Sequence, residues 1–168
     1  MPVVDEESAR RIVTFCARVF QEPLDGRAAF AEMMDGACIS ALAPAMLDTS
    51  TLLCHELASQ EPDRAGYEVS DEAARMILSA LWRHEKAVTL GQAMLRAGLD
   101  QGSVRDLPAE MAEALAEARG RMFIVLSQLV SGMSAILSRR AGQGDGWAVE
   151  RVLTEATAEG FEAGTVEP

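Results

Sequence analysis

The chain has 168 residues, 49% of them apolar and 5% aromatic, which is long enough for one domain with its own core and too apolar for a disordered chain. Its 26 acidic residues outnumber 15 basic ones, for a net charge of −11. With the basic residues scattered, that balance counts against nucleic acid and against an anionic membrane surface. It favours solubility and partners with basic patches.

Ala, Leu and Met are abundant and β-branched residues comparatively sparse, so an all-α, single-domain helical bundle is expected. The pattern predicts about six helices within 1–168, a core over about 6–160 and a loose tail over 161–168. The first helix runs from about Glu6 to Gln21, with an apolar stripe of Ala9, Ile12, Val13, Cys16, Val19 and Phe20. Asp25 caps the second, about Arg27 to Ala43, striped by Phe30, Met33, Met34, Ala37 and Ala41. Pro44 breaks the pattern, and a third helix follows to about Ser59 with Leu53, Cys54 and Leu57 inward. Gln60 to Ser70 reads as a loop. Ser70 caps a long fourth helix, striped by Ala73, Ile77, Leu81, His84, Val88, Gly91 and Leu95, and Gly98 ends it.

The fifth helix opens at Pro108 and should reach Arg140, roughly 50 Å at 1.5 Å per residue. In its first half Glu110, Glu113 and Glu117 face solvent while Met111, Leu115, Ala118 and Met122 face in. In its second half, Met122 to Ser138, seventeen residues carry no charge. A helix uncharged on every side must be covered on every side. Leu126, Leu129, Val130, Met133, Ile136 and Leu137 make one broad apolar face. Ser127, Ser131, Ser134 and Ser138 form a second stripe, well round from the first. Three coverings compete: the rest of the chain, a second copy along a heptad-like seam, or a bilayer. The stretch is short for a span and has no aromatic border. Ala141 to Gly146 is a glycine-rich break. The last helix starts at Asp145 or Gly146, with Trp147, Val152, Leu153 and Ala156 apolar.

Chemistry is sparse. The cysteines Cys16, Cys38 and Cys54 read as small buried hydrophobes in a reducing compartment. The N-terminus lacks a signal-peptide pattern, so a cytoplasmic location is expected. His84 falls on an apolar stripe, as a core residue or a pocket residue. His55 lies opposite Leu53 and Leu57 and should be exposed. The run His55, Glu56, Leu57, Ala58, Ser59 is similar, over five residues, to the phospho-acceptor histidine motif of sensor kinases. The proline usual after that motif is displaced to Pro62, and no Gly-rich ATP-binding segment follows. Zinc and di-iron ligand spacings are absent, as are the G-x-S-x-G and P-loop motifs. No metal and no cofactor is expected.

The resulting expectation is a non-enzymatic cytoplasmic interaction protein: a regulator, adaptor or assembly chaperone acting through helical surfaces, as a homodimer. The candidate interface or pocket residues are Ser127, Ser131, Ser134, Ser138, Leu126, Met133 and His84. The alternative is a small-molecule-binding domain with an apolar pocket between the fourth and fifth helices, where His84 and Ser131 would be the polar contacts.

Overall fold

A computed structural model describes residues 4–21, 25–79, 84–101 and 119–166; within its helices, the side chains of residues 25, 39, 84, 86, 101, 119–122 and 157–166 fall outside the description. Every regular element among the described residues is a helix: α1 Glu6–Arg18, α2 Asp25–Met34, α3 Ile39–Ser59, α4 Gly66–Leu78, α5 His84–Gln101, α6 Arg119–Arg140 and α7 Trp147–Val166. The all-α bundle is therefore observed, with seven described helices where about six are expected.

Local chemistry explains most boundaries. Asp5 caps α1 by accepting the Ser8 N–H at 3.0 Å, and Glu6 and Glu7 sit where the helix dipole favours acids. The helix ends at Arg18, so Phe20 leaves the expected stripe and is 44% exposed, while Phe15 turns inward with Ile12 and Cys16. Residues 25 to 59 divide differently from the expected pattern. Gly36, at φ 66°, ends α2, because a left-handed residue after the last turn is one that glycine adopts without a Cβ penalty. Pro44 lies inside α3 and breaks nothing. Its ring removes only the N–H that would reach the Ser40 carbonyl, in the second turn.

The expected fourth helix is two helices. α4 begins at Gly66, inside the expected loop, so Ser70 is not its cap; the Ser70 hydroxyl instead donates to the Tyr67 carbonyl at 3.1 Å. It stops at Leu78, and α5 returns antiparallel beside it. Tyr67 bonds Asp100, and the Arg96 Nε meets Asp71 at 3.0 Å. The Gln92 amide reaches the Asp71 carbonyl at 3.2 Å. Residues 79 to 83, LSALWRHEK in context, are helix formers with neither Gly nor Pro. The contacts between the two arms hold them side by side, and residues 80–83, which join them, lie outside the described residues.

Glycines set the close approaches. A Cβ on Gly91 would stand 2.4 Å from Leu78 Cδ1, and one on Gly132 would stand 2.7 Å from Ile77. At both points α4 meets its neighbour in direct contact. α3 and α6 are the central pair: each packs on α1, α4, α5, α7 and on the other. Their most deeply buried side chains include Leu42, Met46, Leu53, Leu126, Leu129 and Met133, all at most 1% exposed. Of the expected long helix, Arg119–Arg140 is described; 108–118, with Glu110, Met111, Glu113, Leu115, Glu117 and Ala118, lies outside the described residues. No helix among them is long and apolar enough to cross a membrane. α7 remains helical through Val166, past the start of the expected tail.

Candidate functional site

From Val125 to Ser138 the uncharged stretch is largely covered by the chain itself, while Ile124 is 45% exposed and the Met122 side chain lies outside the described residues. Leu126, Ser127, Ser131, Met133, Ser134 and Ser138 are each at most 2% exposed. The serine stripe divides into two pairs. The Ser127 hydroxyl donates to the Ile124 carbonyl at 2.9 Å and the Ser131 hydroxyl to the Ser127 carbonyl at 2.7 Å, so both bond back into their own helix. Ser134 and Ser138 reach across to α7.

That reach follows from how α6 ends. Gly142 takes φ 70°. The Gln143 N–H returns to the Ser138 carbonyl at 2.9 Å and the Gly142 N–H to the Arg139 carbonyl at 3.0 Å. This is a Schellman turn, closed by the glycine its geometry favours. The chain then reverses through Gly144 and Asp145 into α7, whose N-cap residue is Gly146. A glycine has no side chain with which to cap, and a larger residue here would crowd α1: a Cβ would lie 3.0 Å from Ala17 Cβ and 3.2 Å from its Cα. The first N–H groups of α7 still need acceptors. Ser138 Oγ accepts from the Ala148 N–H at 2.9 Å and Ser134 Oγ from the Val149 N–H at 3.2 Å. Both hydroxyls donate onward to the Asp145 carbonyl, at 3.1 and 2.6 Å. One helix thus caps another.

Around this cap the surface is aromatic and cationic. Asp145 holds the Arg139 guanidinium at 2.9 and 3.2 Å, which raises the pKa of Arg139. Arg139 lies 5.8 Å from the centroid of the exposed Phe20 ring. Trp147, the first residue of α7, is 37% exposed. Arg151 covers its ring at 5.2 Å and bonds Glu56 at 2.8 Å. Arg140 donates to the Gln60 side chain at 2.9 Å. Two grooves flank the indole. One, of about 460 Å³, runs between Trp147 and Val13, Ala17 and Gln21 of the α1 end. The other, of about 290 Å³, lies over Leu137, Ala148 and Val152 with Arg140 and Gln60 at its rim.

No family model matches the chain, nor does any curated protein or solved structure.

His84 opens α5, and its side chain lies outside the described residues. His55 is exposed on α3. Cys38 corrects the cysteine reading: it is exposed at the N-cap position of α3, while Cys16 and Cys54 are buried. The Ser40 hydroxyl, 3.1 Å from the sulfur, lowers the Cys38 pKa. Burial raises those of the other two, that of Cys54 to about 12. Among the described residues no three His, Cys, Asp or Glu side chains group as metal ligands do. The sequence reading did not single out Trp147 as a surface residue. The available signal was Ser134 and Ser138 one turn apart, followed by a Gly-Asp-Gly N-terminus that cannot cap itself.

Proposed function

We propose that this protein is a non-enzymatic interaction module, a regulator, adaptor or assembly chaperone, that engages a protein partner through the corner centred on Trp147. The carrying observation is the setting of that residue. A tryptophan more than a third exposed, with Arg139, Arg140, Arg151 and Phe20 nearby, concentrates the residue types enriched at binding hot spots. The grooves on both sides of the indole provide the concave relief that anchors of a partner need. Ser127, Ser131, Ser134 and Ser138 are buried within their own chain, so the proposed homodimer also uses this outer corner rather than the serine stripe.

The test compares wild-type protein with Trp147→Ala and with Met76→Ala, which removes another exposed apolar side chain, 56% exposed, elsewhere on the molecule. Trp147→Ala is expected to weaken partner retention about tenfold or more, with Met76→Ala unchanged. Light scattering should give a mass above 18.0 kDa for the wild type and a monomer for Trp147→Ala. Equal retention by all three proteins removes the reading, and a monomeric wild type removes the dimer.

A further inference from the structure

A second concave site lies between α1 and α2. Its α1 wall carries Arg10, Thr14 and Arg18, one helical turn apart in a row, and its floor is Phe15, Ala29 and Met33. The cleft measures about 340 Å³, and each floor residue is at most 4% exposed. Arg11, at its edge, is already used. It donates to the Met33 and Asp35 carbonyls at 2.9 and 2.7 Å, closing the end of α2, and to Glu7 at 3.0 Å. Arg18 faces Glu32 on the opposite wall, where Asp35 also stands.

Arg10 and Thr14 are not used in this way. The nearest carboxylate oxygen to Arg10 is on Glu7 at 3.6 Å, and Arg11 holds that same oxygen more closely. Among the described residues the Thr14 hydroxyl makes no hydrogen bond, whereas Thr49, Thr51, Thr89 and Thr154 each bond back four residues along their helix. A guanidinium and a hydroxyl with unused donors, a second guanidinium one turn on and an apolar floor beneath are the parts that hold an oxyanion on an apolar body.

We propose that this cleft binds a small organic anion, its charged oxygens between Arg10 and Thr14 with Arg18 alongside, and its apolar part over Phe15, Ala29 and Met33. Glu32 acts as the internal competitor, holding Arg18 until the ligand arrives. The probe is phenyl phosphate, titrated into labelled full-length protein and followed by amide chemical shifts; benzyl alcohol is the uncharged control. Shifts are expected over α1 residues 10–18 and α2 residues 29–35. Arg10→Gln and Thr14→Val, both at exposed positions, should each weaken binding, Arg10→Gln by about tenfold. Glu32→Gln should tighten it, roughly threefold, by freeing Arg18. Added salt should weaken it. Absence of localised shifts, equal binding of benzyl alcohol, indifference to Arg10→Gln, or weakening by Glu32→Gln would each overturn the proposal.

Discussion

Cys38 and Asp5 show how a single side chain takes its chemistry from its place on a helix. Cys38 sits exposed ahead of α3 with its sulfur 3.1 Å from the Ser40 hydroxyl, a contact that favours the thiolate. Iodoacetamide at neutral pH should therefore modify Cys38 alone in the native protein, with Cys16 and Cys54 reacting only after denaturation. Mass mapping of the alkylated peptides checks this. Equal labelling of all three would contradict the burial of Cys16 and Cys54. Asp5 has its pKa lowered from 3.8 because the Ser8 side chain and N–H hydrogen-bond to its carboxylate. The group binds fewer protons folded than unfolded in that range, so its contribution is complete above the unfolded value and fades as pH falls through the lower folded one. Asp5→Ala should cost about 1 kcal/mol at pH 7 and little near pH 2, measured by urea denaturation at both. Cysteine burial was only partly legible in the sequence. Cys16 and Cys54 repeat with their helical stripes, but Cys38 falls between helices once Gly36 ends α2.

At the scale of the element, the corner between α6 and α7 is the sharpest case. Ser134→Ala and Ser138→Ala each remove an acceptor from the start of α7 and should cost about 1–2 kcal/mol. The double variant should be non-additive, because both hydroxyls share the Asp145 carbonyl. Gly146→Ser tests the same arrangement from the other side. A serine is a good N-cap by propensity, yet here it should destabilise by about 1–3 kcal/mol, since its Cβ presses on the Ala17 backbone. Shifted urea midpoints at unchanged slope would report both effects, and a stabilised Gly146→Ser would refute the close approach. The helices themselves were largely readable, because the 3.6-residue period survives in α1, α3, α6 and α7. Their interruptions were not. Pro44 signals a break that the structure does not make, since proline in an early turn costs one N–H and not the helix. The division into α4 and α5 is not legible, since the apolar pattern of Ala73, Ile77, Leu81, His84 and Val88 continues through the sequence.

For the whole molecule, the decisive contacts are those that let two helices approach. Gly132 admits Ile77 of α4 against α6, with ideal-Cβ distances of 2.7–2.9 Å. Gly132→Ala should cost about 1–3 kcal/mol, and Ile77→Val in the same chain should recover part of it. A double-mutant cycle on chemical denaturation measures the coupling; strict additivity would mean that the helices separate to accommodate the methyl group.

The sequence by itself determined that this is a helical chain with a core, that its surface is acidic, and that the stretch from Met122 to Ser138 demands cover. Composition and period report those directly, because they depend on each residue's own polarity and on its neighbours three and four positions away. Only the tertiary structure decided what provides the cover. From Val125 to Ser138 it is supplied by α3, α4, α5, α1 and α7 of the same chain, with Ser134 and Ser138 turned from a bare stripe into the cap of α7. The same packing left Trp147 and Phe20 outward and set Arg10, Thr14 and Arg18 over an apolar floor. These arrangements depend on pairs far apart in sequence, such as Gly146 against Ala17 and Arg151 against Glu56, and no local period carries that information.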